Sequence, residues 1–125
     1  MKGRKPNLSA DPLALQKTPP APKHLSDGAR HEWRRVLPQL VAAGVVRSSD
    51  LALLSSYCAL VAVAAEYEAA HAASGTMDPK ALRAMISATE AARRIASEFG
   101  MTAVSRSRVG MVAAEADEGA SPLDL

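Results

Sequence analysis

The residues able to do chemistry are few, and most of them are cations. Cys58 is the single cysteine of the 125 residues. It sits in an apolar run and shows no adjacent base, so a buried structural thiol is expected rather than a nucleophile, and without a partner it suits a reducing compartment. His24, His31 and His71 do not share the spacing of metal ligands. Glu66 and Glu68 stand near one helix end, where two acids could do general acid/base work. A solvated helix surface is the expected reading for this pair. There is no Gly-rich phosphate loop with Lys-Ser/Thr, no Cys-x-x-Cys and no dinucleotide-binding glycine pattern. The expectation is a protein that is not an enzyme and that carries no cofactor and no metal.

The cations fall into three groups. Lys2, Arg4 and Lys5, with Lys17 and Lys23 further on, lie in a Pro-rich opening stretch. Gly3 and Pro6 keep the chain extended there, so positive side chains could follow a phosphate backbone or enter a minor groove. A merely solubilising terminus is the alternative. Arg30, Arg34 and Arg35 cluster on the first helix, with 30 and 34 one turn apart. Phosphates are one partner for them; Glu32 or another subunit's acids are the other. Arg106 and Arg108 form a third site, directed to DNA or to carboxylates across a subunit boundary. Charge is uneven at the two ends. Residues 1–24 hold five cations against Asp11, and residues 111–125 hold Glu115, Asp117, Glu118 and Asp124 without a base. A basic arm and an acidic tail therefore bracket the middle of the chain.

The elements that position these groups are read as helices. Pro6, Pro12, Pro19, Pro20 and Pro22 make residues 1–25 an extended arm, since this composition blocks helix and disfavours a packed core. Ser26 and Asp27 offer N-cap chemistry, and Ala29, Trp33, Val36, Leu37, Leu40 and Val41 recur at helical steps up to Gly44. Pro38 is expected to kink or interrupt that helix near Leu37. Ser49-Asp50 caps a second helix through Leu51, Leu54, Tyr57, Cys58, Val61 and Ala65 to Ala73, about 37 Å long, with Gly75 as its stop. Its middle is apolar nearly all round, including Leu53, Leu60, Val63 and Ala64, so two faces need covering. Asp78-Pro79 opens a third helix whose stripe is Leu82, Ile86, Thr89, Ala92, Ala96 and Phe99, ending at Gly100. The second and third helices should form a long antiparallel hairpin.

The resulting expectation is an all-α protein. A small helical domain over 26–109 follows the arm of 1–25 and precedes a flexible acidic tail over 110–125. Low aromatic content and abundant Ala favour thin helix packing over a deep cofactor pocket, and so small a domain gains from self-association. Leu53, Leu60, Val63, Ile86 and Phe99 are the candidate oligomer contacts. No leader is apparent at Met1–Lys5, and the longest apolar run, residues 58–65, is too short to span a bilayer. A soluble, intracellular protein without a membrane partner is expected.

The order of the motifs resembles one known family. Met1-Lys2-Gly3-Arg4-Lys5-Pro6 is similar to the Gly-Arg-Lys-Pro start of phage terminase small subunits, followed by an arm ending in Pro22-Lys23-His24-Leu25-Ser26. Glu32-Trp33, Leu37-Pro38-Gln39-Leu40, Gly44-Val45-Val46 and Asp50-Leu51-Ala52-Leu53-Leu54 resemble the family's first two helices, with Tyr57-Cys58 at a pair often found there. Phe99-Gly100-Met101-Thr102 and Ser105-Arg106-Ser107-Arg108-Val109 resemble its closing motif. Met101 replaces the usual Leu, Ala103 the usual Pro, and the link between the second and third helices is short and Ala-rich. The resemblance implies a ring-forming homo-oligomer that binds double-stranded viral DNA at the packaging start site. It also implies recruitment and regulation of the terminase large subunit, which carries the ATPase and nuclease, within the host cytoplasm. Two other functions compete with it: a small helical DNA-binding regulator, and a ring-forming head-connector or adaptor protein. The first would need a polar recognition helix, whereas Leu51-Ala52-Leu53-Leu54 is apolar.

Overall fold

The computed structural model describes residues 11–76, 78–102 and 106. Three α-helices form it: α1 (Asp27–Ala42), α2 (Leu51–Ser74) and α3 (Pro79–Glu98), with a 3-10 turn over Ser48–Asp50 leading into α2. No strand occurs among the described residues; Ala14 and Arg47 form one isolated bridge.

The helix boundaries follow local chemistry. The Ser26 side chain accepts the Ala29 N–H at 3.2 Å, and Asp27 places negative charge in the first turn of α1. Asp78 accepts from the Ala81 N–H, with Pro79 at the start of α3 where a missing N–H costs nothing. Gly44 and Gly75 follow α1 and α2 with φ of +73° and +78°, conformations that a Cβ would strain. Two expectations need correction. Asp50 makes no side-chain cap on α2, because its carboxylate accepts the Arg47 N–H at 2.8 Å and closes the preceding turn instead. Of the kink or interruption expected at Pro38, the interruption does not occur, and α1 runs on to Ala42. Pro38 and Arg34 both lie on the exposed side, where water can serve the Arg34 carbonyl that proline leaves without a helical donor.

Helix α2 is the centre of the fold and packs against both α1 and α3. Toward its neighbours it buries Leu54, Ser55, Tyr57, Cys58 and Ala62. From α1 come Ala29, Trp33, Val36, Leu37 and Leu40, the stripe read from spacing. The buried stripe of α3 is Ala88, Ala92 and Ala96, of which Ala92 and Ala96 belong to the expected one. Leu82 and Ile86, expected to lead that stripe, are 43% and 51% exposed. Small side chains let the α3 backbone approach α2, and the larger residues are left on the flank. By length and composition alone Ser48–Ser74 could cross a bilayer. Here its apolar residues pack against α1 and α3 on one side.

Residues 11–26 form a strap across this helical unit. Arg47 pairs with Asp11 through Nε–Oδ2 at 2.6 Å and Nη2–Oδ1 at 3.1 Å. The Leu15 N–H donates to the Val46 carbonyl at 2.8 Å, and the Trp33 indole N–H to the Pro19 carbonyl at 3.0 Å. Leu25 is buried in the core, with Leu15 and Ala21 packed against it. Its Pro-rich composition keeps the strap out of helix, yet it is tied down through backbone carbonyls.

Candidate nucleic-acid interface

The strap and α1 bring one group of cations together. Arg30 reaches back to the strap, its Nε donating to the Leu25 carbonyl at 3.0 Å and its Nη2 to the Lys23 carbonyl at 2.6 Å. Its guanidinium thus holds the strap in place. Arg34 is exposed and has no hydrogen bond or ion pair within the described residues. Arg30, Arg34, Trp33 and Pro38 line a shallow depression with Thr18, Pro19, Pro20 and Ala21. Lys17 precedes that strap segment, Lys23 follows it, and both are exposed. Lys17, Lys23 and Arg34 are therefore exposed cations on the strap and α1, while Arg30 is half-buried.

Arg35 is engaged elsewhere. It grips Glu32 with two parallel bonds, Nε–Oε1 at 2.9 Å and Nη2–Oε2 at 2.6 Å, and the Tyr57 hydroxyl donates to the same Oε2 at 2.6 Å. Within the chain Arg35 pairs with the neighbouring glutamate, one of the partners foreseen for it. Glu32 is buried, and the Arg35 guanidinium beside it holds its carboxyl below the usual range, with the Tyr57 hydroxyl adding to this against the effect of burial. Burial, then its hydrogen bond to Glu32, push the Tyr57 hydroxyl up. The Cys58 thiol is pushed up to about 12, first by burial and then by the Glu32 charge. A thiol so placed is unreactive. Native protein at pH 8 should resist alkylation of Cys58, and denatured protein should be labelled within minutes; fast labelling of the native form would contradict its burial.

Arg106 lies away from the strap, its Nη1 bonded to the Met101 carbonyl at 3.1 Å. With Arg35 it lines a groove between the ends of α1 and α3. Lys2, Arg4, Lys5 and Arg108 lie outside the described residues. Charge clustering in sequence did not single out Arg47, which ties down the strap, nor the α3 cations. Lys80, Arg83 and Arg94 recur at helical steps along α3 and are exposed, a periodicity visible in the sequence. Arg93 pairs with Glu90 at 2.6 Å.

The apolar candidates separate by exposure. Leu53 and Val63 are about two-fifths exposed and lie on α2 away from its buried face. Ile86 joins Leu82 on the open flank of α3. Leu60 and Phe99 are half-buried against the core. Glu66, Glu68 and the three histidines are exposed on separate positions, and among the described residues no group of His, Cys, Asp or Glu could hold a metal ion. What the surface offers is positive charge on the α1 and strap side and apolar area on α2 and α3.

Comparison with known proteins gives this surface a context. The family model described as phage terminase, small subunit, matches residues 29–116, more than half of the chain, from the first turn of α1 through α3. No curated protein and no solved structure matches the chain. On the strength of that match, the chain belongs to the family of phage terminase small subunits, whose work is the packaging of viral DNA.

Proposed function

We propose that this protein is the DNA-recognising, non-enzymatic subunit of a phage packaging terminase. It binds double-stranded viral DNA at the packaging start site, recruits and regulates the large ATPase-nuclease subunit, and acts inside the host cell. The family match over residues 29–116 carries this reading. The surface chemistry supports it: Lys17, Lys23 and Arg34 are exposed cations on the strap and the first helix. In this reading residues 26–109 are the packaging domain, residues 1–25 add the basic Lys2, Arg4 and Lys5, and residues 110–125 carry acid. Copies associate into a ring through the α2–α3 hairpin, with Leu53, Leu60 and Val63 on α2 and Ile86 and Phe99 in α3 and just after it.

Phosphate contacts release counterions, so affinity falls steeply with salt. Fluorescence anisotropy with a short duplex carrying the start site, read between about 50 and 200 mM salt, should give a straight line in log K against log salt. Arg34→Ala should flatten its slope by about one unit, as expected for one lost phosphate contact. Because Arg34 is exposed, folding should be unchanged. A binding constant indifferent to salt would sink the phosphate assignment, and an unchanged slope would remove Arg34 from it.

A further inference from the structure

The groove between the ends of α1 and α3 has no occupant among the described residues. Val36, Leu40, Val45, Phe99 and Met101 make its apolar lining, and its two charged lining residues are both arginines, Arg35 and Arg106. Val45 is more than a third exposed there. Arg35 gives two N–H groups to Glu32 and, of the five a guanidinium carries, has others to offer outward. The groove therefore asks for an apolar segment that ends in negative charge.

Such a segment follows directly in the chain. From Arg106 on the groove wall the sequence continues through Ser107 and Arg108 to Val109, Met111 and Val112, and then to Glu115, Asp117 and Glu118, with no base from 109 to 125. Five residues reach up to about 17 Å, enough to bring Met111 back from Arg106. We propose that Met111 and Val112 of the same chain seat in this groove, with Glu115 and its acidic neighbours against Arg35 and Arg106. A tether this short supplies a millimolar effective concentration, so modest apolar contact and partly exposed ion pairs suffice to keep the groove covered. This inference does not depend on DNA binding.

Disulfide trapping in the full-length chain tests it. Val45→Cys paired with Met111→Cys places one thiol in the groove and one in the segment; Val63→Cys with Met111→Cys is the control on the far face of α2. Cys58 stays silent in both because it is buried. Under mild oxidation the groove pair should close within single chains at least about tenfold faster than the control, as a local effective concentration requires. Adding Arg106→Glu should slow it about twofold to fivefold. Equal rates for the two pairs would overturn the proposal. So would products of twice the chain mass, which would assign the groove to a second copy's segment. An Arg106→Glu variant closing at the parent rate would overturn the charge contact.

Discussion

Replacing Trp33 by alanine is expected to destabilise the fold by about 3–5 kcal/mol, most of what a small domain possesses. Trp33 is among the largest fully buried side chains, and it sits where α1, α2 and the strap converge. Its removal leaves a cavity and also strips the Pro19 carbonyl of its 3.0 Å indole donor. The loss should therefore spread to the strap. Trp33→Phe separates the two effects, keeping a ring while deleting the N–H, at about 1–2 kcal/mol. In the phenylalanine variant, trypsin cleavage after Lys17 and Lys23 should accelerate more than cleavage within the helices. Denaturant midpoints measure the first effect and cleavage rates the second. A Trp33→Ala midpoint within about 1 kcal/mol of the parent would contradict the packing described here.

Glu32→Leu is the second large effect, about 2–3 kcal/mol, because it leaves the buried Tyr57 hydroxyl without its acceptor and Arg35 without its fork. Half-exposed Arg35 can turn to water, which keeps the cost below that of a wholly buried ion pair. The same carboxylate imposes a pH dependence. Its pKa is lowered on folding, so the native state favours the charged form; the stability it adds is present above the unfolded value near 4.3 and is lost as pH falls through the lower folded value. Parent protein should lose stability on acidification from about pH 5 toward pH 3, and Glu32→Gln should lose less over that window. Identical pH profiles for the two would show that Glu32 does not sense the fold.

Spacing in the sequence located α1 well because large side chains mark its buried face. Trp33, Val36, Leu37 and Leu40 recur at helical steps, and Ser26 and Gly44 mark its ends through groups whose chemistry is local. The stripe of α3 was read only in part for a related reason. Ala92 and Ala96 fell in it, but Ala88 did not, because alanine announces itself weakly beside Leu82 and Ile86. Contacts made by backbone atoms leave no mark in side-chain identity, so the strap, held at the carbonyls of Pro19, Lys23 and Leu25, was read only as an extended arm. The site shows the same division. Arg30, Arg34 and Arg35 look alike in sequence, yet one holds the strap, one faces water and one serves a buried carboxylate whose other partner, Tyr57, comes from a different helix. Net charge could name the candidates, but only their neighbours in space distinguish them.

The central claim is tested most directly by light scattering after size-exclusion chromatography, with and without a DNA fragment carrying the packaging start site. A particle several times the 13.1 kDa chain that shifts to larger mass on that DNA is the predicted result. A single chain that elutes unchanged in the presence of the DNA would contradict it.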